Sequence, residues 1–597
     1  MLENKASLDL AMIGNCCLSA LVDNRGRIVW SCFPRFDGDP VFHQLLGAPK
    51  DASGGVFEIE LEGFKAARQE YLPNTAVLRT VLEGETGSIE IIDFAPRFKW
   101  RERSYRPQSL VRRIRPLGGS PRIVIRNRPR FDYGRQAGAI TSSSNSIRYI
   151  GPRQILRLTT DAPVDYVLNQ TAFLLDTPIN LIFGPDETVS DGVAETAQDY
   201  EKRTINYWRT WVHRLALPLE WQDAVIRAAI TLKMCSYEPT GAVVAAMTTS
   251  IPEAAGSGRN WDYRFCWVRD AFFVVRALNS LSAVGTLENY FRWLMNIVAG
   301  TTGDHIQPVF GIGLETELTE RIISELPGYR GMGPVRAGNQ AFEQHQHDTY
   351  GNIILGAAQA FVDKRLFMSA GEPEFRRLEA LGERAYALHD QPDAGIWELR
   401  TRMRPHTSSA IMSWAGCDRL AKIASHLGLA DRSALWRSRA DAIKATVLER
   451  SWCGKRQAFV ESFGGTHLDA SVLLMGEVGM LCPSDPRFVA TVDALEKTLA
   501  RGPFMMRYEE ADDFGAPETA FNVCAFWRVD ALARCGRRDE AREIFEALLA
   551  ARAPSGLMSE DTDFSSGEAW GNFPQTYSMV GIINGAMRLS RSWEATI

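Results

Sequence analysis

The stretch ETAQDYEKRTINYWRTWVHRL, residues 195–215, separates two parts of the chain that differ in hydrophobic period. Patterns typical of β-strands precede it, and patterns typical of amphipathic helices follow it. It predicts a helix that connects the two parts, within residues 187–218. We therefore expect a β domain over residues 1–186 and a helical domain over residues 219–597.

The first part contains short segments rich in Val, Ile and Thr, which Gly, Pro, Asn and Asp interrupt. Several of them alternate apolar with charged residues, which is typical of antiparallel sheets with a solvated face. This pattern predicts an antiparallel β-sandwich. The segments are 54–63, 76–94, 109–117, 121–131, 145–151 and 154–160.

The second part contains twelve amphipathic stretches of ordinary helix length. Six antiparallel helix pairs can close into a two-layered α/α barrel, and this is the architecture that we expect. An open helical solenoid is the alternative, although no repeat of fixed length supports it. The stretches lie near 219–236, 269–282, 286–299, 344–362, 373–389, 407–427, 432–450, 468–481, 487–500, 518–535, 538–552 and 574–591.

The charge and the cysteines restrict the partners and the compartment. With 67 Lys and Arg against 72 Asp and Glu, the net charge is −5, and no long run of one sign occurs. This argues against nucleic acid and against an anionic membrane as partners, and favours a small neutral or polar molecule. The ten cysteines form no CxxC pair, which indicates free thiols. The amino terminus does not resemble a secretory signal, so we expect a cytoplasmic protein.

The longest loops between the helices, 237–268, 300–343, 390–406 and 553–573, are where we expect the function. The end of the first loop and the start of the next helix form the stretch GSGRNWDYRFCWVRDAFFVVRAL, residues 256–278. In it, aromatic and charged residues are mixed. Aromatic faces beside Arg and Asp groups are typical of sugar-binding pockets. The alternative is a helix N-terminus, with Asp270 in its first turn, followed by aromatics that fill a core.

A second candidate is Glu398, which follows Trp397 in DAGIWELRTRMRPHTSSAIMSW, residues 393–414. A carboxyl group beside an indole can be desolvated enough to keep its proton near neutral pH, as a general acid requires. The nearby Arg400, Arg402 and Arg404 act in the opposite direction. An exposed glutamate in salt bridges with them is therefore the alternative.

Two acidic loops complete the candidates. In SGLMSEDTDFSSGEAWGNFPQTYS, residues 555–578, the acids Glu560, Asp561, Asp563 and Glu568 lie close together. A carboxylate that activates water is one interpretation, and a calcium site is another, although the ligand spacing of a calcium loop is incomplete. In RYEEADDFGAPETAFNVCAFW, residues 507–527, an acidic loop enters a helix near Glu518, and a solvated loop is the alternative. No P-loop, GxGxxG or GxSxG motif occurs.

The segments RNWDYRFCWVRDA (259–271), AGIWELR (394–400) and GNFPQTYS (571–578) occur here in the order found in glycoside hydrolase family 15. The chain resembles this family of glucoamylases and bacterial and archaeal trehalases nearly from end to end. The resemblance implies a β-sandwich followed by an (α/α)6 barrel, in agreement with the two periods.

The resemblance also implies the roles of individual residues. Glu398 matches the general acid and Glu560 the general base, with Glu568 as the replacement if Glu560 is not the base. In inverting enzymes such a pair stands roughly 6.5–9.5 Å apart, which leaves room for a water molecule. The residues that match the walls of a glucose pocket are Tyr263, Trp267, Arg269, Asp270, Trp397 and Arg507. We expect no cofactor and assign no metal ligand.

The chain departs from the family's pattern after the acid. Ser408 and Ala410 stand where members often carry a histidine and a lysine, and Leu399 where fungal members carry a second glutamate. We expect these positions to lie near the group that leaves, so they bear on the substrate more than on the reaction.

Together these features predict an inverting, exo-acting α-glucoside hydrolase that releases β-glucose from a di- or oligosaccharide. A trehalase with the same catalytic pair is the first alternative. A disaccharide phosphorylase, in which phosphate replaces water, and an inactive sugar-binding protein are more distant alternatives.

Overall fold

The computed structural model describes residues 6–47, 54–300, 305–367 and 369–594. It consists of an antiparallel β-sandwich followed by a barrel of helices, as the two periods predict. The strands of the sandwich part are β1 Leu10–Gly14, β2 Ser19–Asp23, β3 Ile28–Phe33, β4 Asp39–Phe42, β5 Val56–Leu61, β6 Phe64–Tyr71, β7 Leu78–Gly84, β8 Gly87–Phe94, β9 Phe98–Trp100, β10 Arg103–Tyr105, β11 Leu110–Gly119, β12 Arg122–Arg128, β13 Ala139–Ser142, β14 Ser146–Ile150, β15 Ile155–Thr160, β16 Phe173–Leu174 and β17 Ile179–Pro185.

Two sheets form the sandwich. The first has the order β1-β2-β3-β5-β12-β16, with β4 paired to β3, and the second has the order β13-β14-β15-β17-β11-β8-β7-β6. Their neighbouring strands run antiparallel. The inner faces share one apolar core, in which the rings of Phe57 from the first sheet and Phe183 from the second lie 6.0 Å apart.

All six strand segments predicted from the sequence coincide with strands, but ten strands of the sandwich part were not predicted. These are β1 to β4, β6, β9, β10, β13, β16 and β17. In β1 the residues Ala11 and Ile13 lie in the sandwich core, whereas Leu10 and Met12 lie in the core of the helical part. A strand that is buried on both faces carries no alternation of apolar and polar residues. This is why the period of two is absent from the first strands.

The helices are α1 Val164–Asn169, α2 Val193–His213, α3 Gln222–Met234, α4 Val268–Ser280, α5 Val284–Gly300, α6 Asp348–Ala358, α7 Glu372–Leu388, α8 Thr407–His426, α9 Ala430–Arg450, α10 Leu474–Glu477, α11 Pro486–Leu499, α12 Asn522–Arg534, α13 Arg538–Ala550 and α14 Thr576–Leu589. Helix α2 is the connecting helix. Its residues Val193 and Ala197 pack on the eight-stranded sheet, and Trp208 and Val212 pack into the helical core.

Helices α3 to α14 form a closed barrel of two layers. The inner ring runs α4-α6-α8-α10-α12-α14, and α14 contacts α4 again. The other six helices lie outside this ring. Each of the twelve predicted stretches overlaps one of these helices, and the open solenoid is wrong.

The inner helices are covered on all sides, and small residues let them approach each other. A Cβ on Gly351 of α6 would stand 2.1 Å from the carbonyl oxygen of Met412 in α8, so only glycine fits there. Such helices are apolar or small all round, whereas outer helices have one polar face. The sequence therefore predicts the number of helices more clearly than their layer.

Short strands lie in the loops between the helices. They are β18 Ser236–Tyr237, β19 Ala242–Val243, β20 Cys266–Trp267, β21 Val309–Phe310, β22 Arg321–Ile323, β23 Val335–Ala337, β24 Trp452–Cys453, β25 Ala458–Phe459, β26 Ala500–Arg501, β27 Phe504–Met505, β28 Ala520–Phe521, β29 Asp561–Thr562 and β30 Ala569–Trp570.

A buried arginine joins the sandwich to the barrel loops. Arg264 forms an ion pair with Asp262, at 2.7 Å, inside the loop that precedes α4. Its guanidinium also donates to the carbonyl oxygen of Gly38 at 2.9 Å and to the Tyr133 hydroxyl at 3.0 Å, both in the sandwich. With Arg264 only 1% exposed, this polar contact between the two parts is shielded from water.

All ten cysteines are free thiols, and seven of them are buried. In the described part of the chain, we find no helix whose length and apolar character would let it cross a membrane.

Candidate active site

A pocket opens at the end of the barrel where the inner helices α4, α6 and α14 begin, and with its mouth it encloses about 960 Å³. All eight site residues predicted from the sequence line it, namely Tyr263, Trp267, Arg269, Asp270, Trp397, Glu398, Arg507 and Glu560. Residues from four different loops and from the first turn of α4 therefore meet at one place. Only the closed barrel brings together Glu398 and Glu560, which are far apart in the sequence.

The segment before α4 supplies two aromatic side chains that hold the two carboxylates. The Tyr263 hydroxyl donates to Oε1 of Glu560 at 2.7 Å, and Nε1 of Trp267 donates to Oε1 of Glu398 at 2.6 Å. The two rings meet edge to face at 5.4 Å. The part after Asp270 packs into the barrel core, as the alternative for residues 256–278 predicts, and the part before it lines the pocket.

Glu398 has its two carboxylate oxygens in different surroundings. Oε1 accepts from Trp267, from Nη2 of Arg269 at 3.3 Å and from Nε2 of Gln346 at 3.2 Å. No donor among the described residues reaches Oε2. The side chain is 22% exposed, so it faces the pocket rather than the interior.

The loop that carries Glu398 has an unusual backbone. Glu398 has a φ of +58° and Gly395 a φ of +69°, and a Cβ on Gly395 would meet the ring of His406 at 2.6 Å. A positive φ is strained for a glutamate, and such strain is common at functional sites. Both ends of the loop are fixed by the backbone bridge between Asp393 and Arg404.

The alternative for Glu398, an exposed carboxylate in salt bridges with the arginines that follow it, is wrong. Arg400 pairs with Glu320 at 2.9 Å. Arg402 and Arg404 both pair with Glu510, each at 2.8 Å. The ion pairs of these arginines join neighbouring loops. Glu398 accepts hydrogen bonds from Trp267 and Arg269 instead.

Trp397 is fixed beside the acid. Its Nε1 donates to Oδ2 of Asp469 at 2.7 Å, and its ring packs against Phe521, Tyr508 and Trp527 at 5.6, 5.8 and 6.1 Å. Burial raises the pKa of Asp469 to about 6, although hydrogen bonds from Ser471 and Trp397 oppose the shift.

Glu560 is almost wholly buried. Oε1 accepts from Tyr263, and Oε2 accepts from the backbone N–H of Asn572 at 3.3 Å. Burial raises the pKa of Glu560 well above its ordinary value, and the neighbouring Glu253 and Asp561 act in the same direction, while Tyr263 and Arg507 oppose it. Burial raises the pKa of Tyr263, and the carboxylates of Glu560, Glu253 and Glu398 act in the same direction, so Tyr263 stays a neutral donor.

Glu253 and Asp561 lie beside Arg507; the sequence did not mark Glu253, and it named Asp561 only as one member of the acidic loop. Glu253 pairs with Arg507 and accepts from Nε1 of Trp261 at 3.0 Å, and Asp561 lies 3.8 Å from Arg507. The adjacency of Asp561 to Glu560 was a usable signal. Glu253 stands in IPEAAG, where no charged or aromatic neighbour marks it.

Arg269 and Asp270 form the polar floor of the pocket. Arg269 donates to Gln346 at 3.0 Å and to Asp348 at 3.2 Å, in addition to Glu398. Burial raises the pKa of Asp270 to about 6, with Arg269 opposing the shift. Asp348, the first residue of α6, and Gln346, two residues before it, were not predicted from the sequence either.

The remaining acids of residues 555–578 have other partners. Asp563 accepts from Ser565 and Ser566, and Glu568 pairs with Arg330 at 2.7 Å. Neither lines the pocket. In the part of the chain that is described, no three His, Cys, Asp or Glu side chains form a group that could hold a metal ion.

Two further expectations need correction. Leu399 lines the pocket, but Ser408 and Ala410 are buried in the inner helix α8 and do not line it. The acidic loop 507–527 is not simply solvated, because Arg507 is buried, and its helix begins at Asn522 rather than near Glu518.

Comparison with known proteins shows the family and the fold. The profile described as glycosyl hydrolases family 15 matches residues 221–587, and the profile described as trehalase-like, N-terminal matches residues 4–172. A trehalase of Mycolicibacterium smegmatis is 31% identical over 98% of this chain and 91% of its own length. A trehalase of Thermoplasma volcanium is 30% identical over 97% of this chain and 93% of its own length.

Among solved structures, a bacterial glucoamylase in complex with acarbose matches with a TM-score of 0.69 and 12% identity, over 98% of this chain and 95% of its own. This likeness covers both the sandwich and the (α/α)6 barrel of this chain and shows a shared fold. The family profile over the barrel and the trehalase relatives over nearly the whole chain lead to one conclusion. The chain belongs to glycosyl hydrolases family 15 and is a glycoside hydrolase.

Proposed function

We propose that this protein hydrolyses trehalose by an inverting, exo-acting mechanism, with Glu398 as general acid and Glu560 as general base. The observation that carries the proposal is that both carboxylates line one pocket, held apart by the edge-to-face pair of Tyr263 and Trp267. Two carboxyl groups on either side of a bond, with room for water, are what inverting hydrolysis requires.

Oε2 of Glu398 would carry the proton that the leaving oxygen receives. Its partner oxygen Oε1 is occupied by three donors, so the acid is held in place without blocking the reactive oxygen. Glu560 would take a proton from the attacking water on the opposite face of the glucose ring. As the bond to the leaving sugar breaks, C1 gains the water oxygen, and its configuration inverts.

The rest of the pocket would bind one terminal glucose. Trp397, Tyr263 and Trp267 offer apolar surface to its ring, and Arg269, Asp270 and Arg507 offer charged partners to its hydroxyl groups. Two of these charged groups, Arg269 and Asp270, are held on α4, a rigid element, which favours a fixed position for the sugar. The expected partner is a small carbohydrate.

The relatives favour trehalose among the α-glucosides, because those of Mycolicibacterium smegmatis and Thermoplasma volcanium are named trehalases and match this chain over nearly its whole length. The first expectation from the sequence was a glucoamylase-type enzyme with trehalase as the alternative. A phosphorylase would not need Glu560, whose two oxygens are both fixed by donors here.

A panel of disaccharides tests the substrate. Purified protein is incubated with trehalose, maltose, isomaltose and kojibiose, with and without inorganic phosphate, and free glucose is measured. We expect the highest kcat/KM on trehalose, without dependence on phosphate. A clear preference for maltose would overturn the assignment of trehalose, and a need for phosphate would overturn hydrolysis.

A further inference from the structure

At the mouth of the pocket lies an aromatic side chain that no role in the glucose site explains. Phe514 lines the pocket, yet 40% of its surface is exposed. Its ring touches Trp261 edge to face at 5.4 Å, so only part of it is covered. An exposed aromatic residue at the entrance of a sugar pocket is a surface on which a second sugar ring can rest.

The backbone around Phe514 is held from both sides by one buried guanidinium. Arg259, 5% exposed, binds both carboxylate oxygens of Asp512 at 2.6 Å and the carbonyl oxygen of Gly515 at 2.9 Å. Asp512 in turn accepts the backbone N–H of Phe514 at 2.8 Å. The ring is therefore exposed on a fixed turn, which is the arrangement of a binding surface rather than of a loose loop.

The neighbouring rim is fixed in the same way. Asp513 accepts the backbone N–H groups of Arg400 at 2.6 Å and Thr401 at 3.2 Å, from the loop that carries Glu398. The guanidinium of Arg400 lies 4.3 Å over the Trp261 ring and keeps about a third of its surface exposed. A polar donor thus stands beside the aromatic face, as recognition of a sugar with hydroxyl groups requires.

We propose that Phe514, with Arg400 at its side, is the platform for the leaving sugar, a single hexose ring joined to the glucose in the inner pocket. This inference rests on the proposed function and adds the residues that select the leaving group. One loop carries in sequence Glu398, Leu399 and Arg400. Because Glu398 would protonate the linking oxygen, the platform lies on the side where the bond is cleaved.

The test compares a disaccharide with α-glucosyl fluoride. Water attacks C1 of the fluoride, the C–F bond breaks and fluoride leaves with the electron pair, so no second sugar occupies the platform. Phe514→Ala should lower kcat/KM on trehalose by about tenfold, the effect of losing one aromatic contact. On α-glucosyl fluoride, measured with a fluoride electrode, it should change kcat/KM by less than about twofold.

Two variants serve as controls. Phe564→Ala removes a phenyl ring that is 39% exposed but does not line the pocket, and it should leave both substrates unaffected. Phe514→Tyr keeps the ring and should keep the rate on trehalose. Equal losses on both substrates in Phe514→Ala would overturn the platform, as would an unchanged rate on trehalose. If the unmodified protein acted on neither substrate, the proposed function itself would be wrong.

Discussion

Glu398 and Glu560 differ in their surroundings, and each substitution by glutamine should have a distinct signature. We expect Glu398→Gln and Glu560→Gln to lower kcat on trehalose by about 10²–10⁴-fold, the usual contribution of a general acid or base. Fluoride needs little protonation to leave. On α-glucosyl fluoride, Glu398→Gln should therefore keep most of its rate and Glu560→Gln should not. Steady-state kinetics on the two substrates make this comparison.

Glu568→Gln is the matched control, because Glu568 stands in the same loop but pairs with Arg330 outside the pocket. It should keep a rate close to that of the unmodified protein. A severe loss in Glu568→Gln together with normal turnover in Glu560→Gln would move the base to Glu568.

The carboxylate cluster around Glu560 predicts the acidic limb of the pH profile. The base must be ionised, and burial, Glu253 and Asp561 raise its pKa, so kcat/KM should fall at a higher pH than for an exposed glutamate. In Glu253→Gln one of these charges is removed while Arg507 stays, so the limb should move to lower pH. The profile of kcat/KM against pH, recorded for both proteins, measures the position of the acidic limb. A limb in Glu253→Gln that does not move, or that moves to higher pH, would contradict the role of Glu560 as base.

The sequence identifies the residues of this site that lie in marked motifs and misses those that do not. Tyr263, Trp267 and Arg269 share a segment dense in aromatic and charged side chains. That composition predicted a pocket, and all three side chains line one. Glu253 is bracketed by Pro and Ala, and only the fold places it against Arg507. Its role depends on contacts across 254 positions, which no local pattern encodes.

Among the elements, the loop between Asp393 and Arg404 is the most constrained part of the site. Gly395→Ala would force a side chain into a φ of +69° and against the His406 ring. We expect the free energy of unfolding to fall by about 1–3 kcal/mol and kcat to fall with it, because Glu398 is three residues away. Urea unfolding and kinetics on trehalose test this.

Gly454→Ala is the control for this loop, since a Cβ there meets nothing within 4 Å and its φ is not in the left-handed region. It should change neither stability nor kcat by a measurable amount. If Gly395→Ala behaved in the same way, the strained geometry of the loop would not matter to the site.

The elements themselves follow from the sequence where one face is solvated. The outer barrel helices were predicted from their polar faces, and the inner ones from stretches of helix length that loops bound on both sides. The inner helix α10, Leu474–Glu477, is much shorter than its predicted stretch. The strands β1 to β4 escaped, because the sheet that begins at Leu10 is covered on one side by the sandwich core and on the other by the barrel. Burial on two faces removes the alternation on which strand prediction depends.

We also propose, as the sequence suggested, that the domains divide at residues 186 and 218.

In the whole molecule, the sandwich supports the pocket through Arg264, which directly follows Tyr263. Tyr133→Phe removes the sandwich hydroxyl that accepts from this guanidinium. We expect a loss of about 1.5–3 kcal/mol in the free energy of unfolding, typical of a hydrogen bond to a charged group, and a lower kcat as Tyr263 loses its support. Unfolding curves and kinetics on trehalose measure both.

Tyr149→Phe is the matched control, because its hydroxyl donates to Asn127 within the sandwich. It should lower stability by about 1 kcal/mol and leave kcat unchanged. If both tyrosine variants left kcat unchanged, the sandwich would stabilise the fold without positioning the pocket.

The anomers that form first from trehalose test the central claim most directly. Inversion at the attacked carbon gives β-glucose from one half, while the leaving half keeps its own bond and appears as α-glucose. Proton NMR of the first products, recorded before mutarotation, should therefore show α- and β-glucose in equal amounts. If α-glucose alone appeared at first, the reaction would retain configuration, and Glu398 and Glu560 could not act as the inverting pair proposed here.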